Sequence, residues 1–305
     1  MASQIVSNHD VLHISFYKAR KMALITAISG AVPLIDRIEL LVIPGLFWYG
    51  TARAIHFISI SCICLALYYY AEDMDKRNRN IAYALMLPCV IWIFRTSIMG
   101  TACAMAFFAF FRNGYKSLFK IVAIGLALLI FLFSLPSMQK KMFRGEARFS
   151  IESLFAGEIS KENIDSNGRF RMWEEAERKF YEGNKLTGSG SGVLQSFMYS
   201  QGKEEFHGAK IIHNDYIQMK CDNGLIGFWL FLLTELSMVV HCMLVFRQSD
   251  DRWIKICALS AGSSMAGVAL TLISDNVVNY SMATLSYPFI LYGSMLGLMH
   301  NQEDQ

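Results

Sequence analysis

Long apolar runs alternate with short polar segments along most of this chain. A helix that crosses the hydrocarbon core of a bilayer needs about 20 apolar residues, and somewhat fewer when long side chains extend its ends. Seven runs approach that length: 54–70, 81–94, 96–111, 119–135, 224–246, 254–273 and 285–299. An eighth run, 22–35, is shorter and contains Pro33, so it either spans with help from its neighbours or is re-entrant.

Composition strengthens the membrane interpretation. Hydrophobic residues make up 54% of the chain and charged residues only 17%, which excludes an ordinary soluble domain. We therefore predict an all-α integral membrane protein, a polytopic bundle of about seven or eight spanning helices with one large extracytoplasmic loop. The predicted divisions are N-terminal membrane helices over 1–135, a large loop over 136–222 and C-terminal membrane helices over 223–305.

The positions of lysine and arginine in short connections predict the orientation, because positive charge is retained on the cytoplasmic side. If the basic connections face the cytoplasm, both termini lie inside, and the loop 136–222 and the turn 274–284 lie outside. The turn 274–284 contains no lysine or arginine, which agrees with this orientation. The basic residues are Lys76, Arg77 and Arg79 in one connection, Arg112, Lys116 and Lys120 in another, and Arg247, Arg252 and Lys255 in a third.

The large loop contains its own structural signals. Residues 163–168 are rich in turn and cap residues and precede 169–181, which combines strong helix formers with apolar residues. This pattern predicts an amphipathic helix that lies on the membrane surface. The glycine-rich stretch 187–192 follows, and it is either a cradle whose exposed amides bind phosphate or a plain linker. The apolar positions of the predicted helix are Phe170, Trp173, Ala176 and Phe180.

Two places in the loop are candidates for chemistry. Arg169 and Trp173 are four residues apart, so one helix face presents a guanidinium beside an aromatic plane, although ordinary surface charge explains the pattern as well. His213 precedes Asn214 and Tyr216 at the membrane boundary. An imidazole there is either a group that takes up a proton near neutral pH or a simple interfacial polar residue.

Arg95 is a third candidate for chemistry. Arg95 lies between two apolar runs with almost no loop around it, and a charge at that depth is costly unless it is paired or used. It is therefore a candidate functional residue, or else it extends to the phosphates of the outer lipids.

Of the seven cysteines, six lie inside apolar runs and only Cys221 borders the loop, so the sequence predicts no disulfide framework and no metal site.

Three segments in this order resemble the bacterial O-antigen ligase and O-antigen polymerase superfamily of membrane proteins. The resemblance covers about residues 45–299. The matching segments are Phe94-Arg95-Thr96-Ser97; Gly168-Arg169-Phe170-Arg171-Met172-Trp173 with Leu186-Thr187-Gly188-Ser189-Gly190; and His213-Asn214-Asp215-Tyr216 with Asp222-Asn223-Gly224-Leu225-Ile226-Gly227.

The resemblance implies transfer of a glycan from an undecaprenyl-diphosphate-linked oligosaccharide to an acceptor hydroxyl at the outer face of the bacterial inner membrane. The implied enzyme is a metal-independent, inverting glycosyltransferase without a cofactor. Arg95 and Arg169 would neutralise the leaving diphosphate, and His213 would take the acceptor proton. The resemblance and the local chemistry together suggest five substrate-binding residues: Arg171, Trp173, Asn214, Tyr216 and Asp275.

The acceptor distinguishes a polymerase, which extends O-antigen or exopolysaccharide repeats, from a ligase, which attaches them to the lipid A core. We favour the polymerase. The bilayer and a chain-length regulator are further candidate partners, and nucleic acid is not expected to bind.

Two alternative functions come from other classes of protein. One is a cytoplasmic-facing glycosyltransferase that uses a nucleotide sugar and a metal at Asp73-Met74-Asp75, and the other is a transporter of lipid-linked glycans, which needs no general base at position 213.

Overall fold

The regular structure of the protein is helical. The computed structural model describes residues 51–91, 95–117, 169–205, 210–278 and 285–303, with single positions between 16 and 21 and between 119 and 130. No strand occurs among them, so the predicted all-helical class is confirmed for this part of the chain. The helices are α1 Thr51–Tyr70, α2 Lys76–Ile91, α3 Arg95–Asn113, α4 Arg169–Phe180, α5 Val193–Glu205, α6 Asp215–Gln248, α7 Arg252–Thr271 and α8 Ser286–Glu303.

The chain divides into two compact units. The bundle unit comprises residues 1–115 and 230–305, and the loop unit comprises residues 116–229. Helix α6 contributes its N-terminal part to the loop unit and its C-terminal part to the bundle unit. The predicted divisions after residues 135 and 222 remain predictions.

Helix α7 lies at the centre of the bundle unit, where it packs against α1, α3 and α8. Its start is fixed by Asp251, whose side chain accepts hydrogen bonds from the amides of Trp253 (2.7 Å) and Ile254 (3.0 Å). Small residues allow α3 to approach closely: a Cβ on Gly267 would lie 2.7 Å from the carbonyl oxygen of Gly100. Such contacts between small residues are typical of helices that pack within a membrane.

The basic connections meet at one end of the bundle unit. The Arg112 guanidinium, at the end of α3, lies 3.5 Å from the ring centroid of Tyr69 at the end of α1. Arg252, at the start of α7, forms an ion pair with Glu72 in the turn after α1. Basic connections that are far apart in sequence therefore lie at the same end of the bundle unit. This grouping is expected if that end faces the cytoplasmic side of a membrane.

Among the residues that the structure describes, two helices, α6 and α7, are long and apolar enough to cross a membrane, and Phe57–Tyr70 is a shorter apolar helix. Helix α7 is mostly buried, whereas α6 exposes Leu230, Leu233, Leu236 and Val240, as expected of a helix in contact with lipid. The number of seven or eight spans remains a prediction. The run 22–35, most of the run 119–135, the loop residues 136–168 and the turn residues 279–284 lie outside the described residues.

Substitution of Gly267 tests the close contact between α3 and α7. In Gly267→Ala the new methyl group overlaps the Gly100 carbonyl and the Ala104 side chain, so we expect a loss of about 1–3 kcal/mol in stability. Thermal unfolding of the purified protein in detergent measures this loss. Gly125→Ala is the matched control, because a Cβ at that helical position meets no described residue within 4 Å. Equal melting temperatures for the two variants would contradict the contact.

Candidate functional site

Helix α4 confirms the predicted helix in the loop, but its apolar face is covered differently than expected. That face contains Met172, Ala176 and Phe180, which are buried inside the loop unit, whereas Phe170 is 37% exposed. The expectation that the apolar face rests on the membrane surface is wrong for the predicted positions Ala176 and Phe180, because the loop builds a small core of its own. The other residues of this loop core are Leu194, Met198, Ile212 and Cys221.

The glycine-rich segment is held by its own backbone amides. The amide of Ser189 donates to the Cys221 carbonyl (2.9 Å), and the amide of Gly190 donates to the Asp222 carbonyl (2.8 Å). The amide of Gly188 donates to the Asn184 carbonyl (2.7 Å). The phosphate-cradle interpretation is therefore wrong for these amides, because carbonyl oxygens of the chain already accept their hydrogen bonds.

Asp222 joins this segment to α5. Its carboxylate accepts hydrogen bonds from the amides of Gly192 (3.1 Å) and Leu194 (2.9 Å) at the start of the helix. The residue is only 4% exposed, and these bonds offset part of the cost of burying its charge. Asp222 thus caps α5 although it lies 28 positions after Leu194, a role that the sequence analysis missed.

The helical conformation of α6 is interrupted at Gly224, where φ is 64° and ψ is −164°. On the far side of this break, the amide of Leu225 donates to the Lys185 carbonyl (2.8 Å). A Cβ on Gly224 would lie 2.3 Å from the carbonyl oxygen of Leu186. Because glycine alone combines this backbone conformation with so close an approach, position 224 fixes the contact between α6 and the glycine-rich segment.

His213 adopts a left-handed backbone conformation, with φ at 53°. This region is rare for residues other than glycine and persists only where the surroundings impose it. The carbonyl of Ile212 accepts a hydrogen bond from Trp173 Nε1 (2.8 Å). On the other side of His213, the Asn214 side chain accepts from the Ile217 amide (3.0 Å) and so caps α6. His213 is partly exposed between two fixed neighbours.

The loop unit also contains the two predicted loop arginines. Arg169 begins α4 one turn before Trp173, as the spacing predicted, and is partly exposed. The Arg171 side chain is 75% exposed and forms a 3.0 Å ion pair with Glu175. Six of the predicted site residues therefore belong to one compact unit: Arg169, Arg171, Trp173, His213, Asn214 and Tyr216.

Arg95 and Asp275 belong to the bundle unit, where their segments meet. Arg95 is the first residue of α3, and the hydroxyl of its neighbour Thr96 lies 2.8 Å from the hydroxyl of Ser274. Asp275 follows directly and accepts the amide hydrogen bond of Asn276 (2.9 Å). The start of α3 and the turn after α7 are thus neighbours, while the side chain of Arg95 lies outside what the structure describes.

Asp75, one member of the acidic pair weighed as a metal site, has a structural role. The Asp75 carboxylate accepts a hydrogen bond from the Arg77 amide (2.8 Å) and caps the start of α2. Within the described ranges, no group of three or more histidine, cysteine, aspartate or glutamate side chains is arranged to hold a metal ion. Metal-independent chemistry remains a prediction.

Removal of the Asp222 carboxylate tests its capping role. In Asp222→Ala the amides of Gly192 and Leu194 lose their acceptor, which costs about 1–3 kcal/mol for each group left buried and unpaired. We expect faster hydrogen exchange over residues 190–196, measured by mass spectrometry. Asp250→Ala changes an exposed aspartate and serves as the control. Unchanged exchange in Asp222→Ala would show that the carboxylate does not hold this segment.

Comparison with known proteins adds an independent observation to this geometry. A search of curated proteins found no match to the chain. A family model described as O-antigen ligase matches residues 81–232, about half of the chain, a range that includes Arg95, Arg169, Trp173 and His213 and leaves out Asp275. The chain therefore belongs to the O-antigen ligase superfamily, whose members are typically membrane-integral and carry out glycan transfer of the O-antigen ligase and polymerase type.

Proposed function

We propose that this protein transfers a glycan from an undecaprenyl-diphosphate carrier to an acceptor hydroxyl at the outer face of the bacterial inner membrane. The observation that carries the proposal is the constrained, partly exposed position of His213. A left-handed histidine between two hydrogen-bonded neighbours is a costly arrangement, and such strain is concentrated at functional sites. The bilayer, the lipid-linked donor and the glycan acceptor are the proposed partners, with the loop 136–222 in the periplasm.

His213 acts as the general base in this proposal. Its imidazole takes the proton of the acceptor hydroxyl, and the oxygen attacks the anomeric carbon of the donor sugar. The bond between that carbon and the diphosphate oxygen breaks, and undecaprenyl diphosphate leaves with the bonding electrons. A single displacement inverts the configuration at the anomeric carbon, and it requires neither an oxidant nor a cofactor.

The arginines stabilise the leaving diphosphate. A guanidinium keeps its charge at any physiological pH and matches the geometry of phosphate oxygens with two parallel donors. Arg169 is the principal candidate, and the sequence resemblance suggests the same role for Arg95. Arg171 is the second candidate in the loop unit, because its exposed ion pair with Glu175 is weak enough to be exchanged for a phosphate.

The identity of the acceptor separates two forms of this function. In a polymerase the acceptor is another lipid-linked repeat of an O-antigen or exopolysaccharide, and in a ligase it is a sugar of the lipid A core. We favour the polymerase, since exopolysaccharide systems also use polymerases of this general form. The ligase is the second candidate, favoured by the description of the matching family. Both use the same donor and the same proton transfer.

Substitution of His213 by asparagine tests the general base. Asparagine tolerates the left-handed conformation but has no basic nitrogen, so His213→Asn should fold and lose activity. We expect transfer to fall by roughly a hundredfold or more, the size of a general-base contribution. The assay is complementation in a strain that lacks the corresponding gene, with surface polysaccharide read by gel at matched membrane levels.

His300→Asn is the control for the histidine substitution, because His300 is exposed on α8. A polymer ladder in the wild type and the control, without one in His213→Asn, supports the general base. The ladder also separates a polymerase from a ligase. Full activity in His213→Asn would refute the general-base role and favour a lipid-glycan transporter.

Truncation of Arg169 tests the diphosphate contact. Arg169→Ala removes one charged hydrogen-bond donor to the leaving diphosphate, so it should lower turnover by roughly a hundredfold. Arg169→Lys keeps the charge and should lower turnover less. Arg178→Ala changes an exposed arginine at the other end of α4 and should leave turnover unchanged. The measurement is the initial transfer rate in membranes with equal protein content. Equal losses in Arg169→Ala and Arg178→Ala would remove Arg169 from the site.

A further inference from the structure

We infer that Trp173 is a positioning residue, which acts on glycan transfer through the backbone of His213 rather than by contact with the sugar. The inference rests on the proposed role of His213 as general base. It assigns Trp173 a different role from the substrate contact that the sequence suggested. The contact that carries it is the 2.8 Å hydrogen bond from Trp173 Nε1 to the carbonyl oxygen of Ile212.

The backbone at His213 needs support from outside its own segment. The neighbouring Asn214 is held by local bonds at the start of α6, where its side chain accepts from the Ile217 amide and its carbonyl from the Gln218 amide, both at 3.0 Å. These bonds fix the residue after His213. The hydrogen bond from Trp173, which lies 39 positions before Ile212, fixes Ile212, the residue before His213. Together they hold the peptide group before His213 and the residue after it, on either side of a residue whose φ is 53°.

Trp173 is itself held in place. It lies on α4 between Met172 and Ala176, which are buried in the loop core, and its ring contacts Phe170 edge to face at a centroid distance of 5.4 Å. The Ile212 side chain is 2% exposed and belongs to the same loop core. The segment before His213 is therefore attached to α4 twice, by the buried Ile212 side chain and by the bond to its carbonyl.

The two roles of Trp173 predict different kinetic effects. An aromatic ring that stacks on a sugar contributes to binding, and phenylalanine retains an aromatic face for it. A positioning residue instead needs the indole N–H, which phenylalanine lacks. Trp173→Phe therefore separates the roles. If Trp173 positions His213, the variant lowers kcat at a constant KM for the donor. If Trp173 stacks on the sugar, kcat is unchanged and KM rises at most moderately, because the smaller ring still stacks.

The experiment is a double-mutant cycle in proteoliposomes, with the lipid-linked repeat unit extracted from the host strain as donor. The variants are Trp173→Phe, His213→Asn and the double variant, with Trp229→Phe as control because Trp229 is 52% exposed on α6. We expect Trp173→Phe to lower kcat by roughly fivefold to tenfold, the loss of one hydrogen bond, with KM unchanged. Trp229→Phe should leave both constants unchanged.

In the His213→Asn background, the further change of Trp173 should have no effect, because a residue that acts only through His213 has nothing left to position. Additive losses, or a raised KM with unchanged kcat, would overturn the positioning role. If the residual rate of His213→Asn is below detection, hydrogen exchange at residues 213–216 decides: faster exchange in Trp173→Phe supports the inference and unchanged exchange refutes it.

The two claims fail separately. Full activity of His213→Asn would refute the general base and with it this inference. An inactive His213→Asn beside a fully active Trp173→Phe would refute the positioning role alone and leave the proposed function intact.

Discussion

At Gly224 the backbone of α6 leaves the helical conformation, and the chain at Leu186 lies directly against it. Backbone hydrogen bonds on both sides of this position attach residues 185–190 to α6. The Asp222 carboxylate, two residues before Gly224, caps the start of α5. A side chain at position 224 would therefore displace both the glycine-rich segment and the Asp222 cap of α5. One glycine therefore joins the N-terminal part of α6, the glycine-rich segment and α5 into one unit.

The loop core created by this arrangement is small, yet it includes the residue next to His213. Ile212 is buried beside Met172 and Ala176 of α4, so the packing that stabilises the loop also limits where the imidazole can lie. Preorganised groups are more effective in catalysis than groups that must be ordered during the reaction. A strained backbone at His213 is consistent with such preorganisation, since its cost is borne by the surrounding packing and hydrogen bonds.

Local patterns in the sequence were sufficient to predict α4, since residue types that favour helix caps, helix formers and the apolar spacing all lie within 163–181 of the sequence. The glycine-rich segment was ambiguous, because its partners Cys221 and Asp222 are about 30 positions away and no local pattern identifies them. The same limit concealed the bond between Trp173 and Ile212. Gly224, the first residue of the apolar run 224–246, was a usable signal, because a glycine is costly in a helical pattern and often has a packing reason there.

The most direct test of glycan transfer is a reaction of the purified protein in proteoliposomes with a lipid-linked repeat unit, which in a polymerase is both donor and acceptor. We predict that the amount of undecaprenyl diphosphate released equals the number of new glycosidic linkages, and that these linkages have inverted anomeric configuration. Donor that stays intact while crossing the bilayer, or product formed with retained configuration, would contradict single-displacement glycan transfer by this protein.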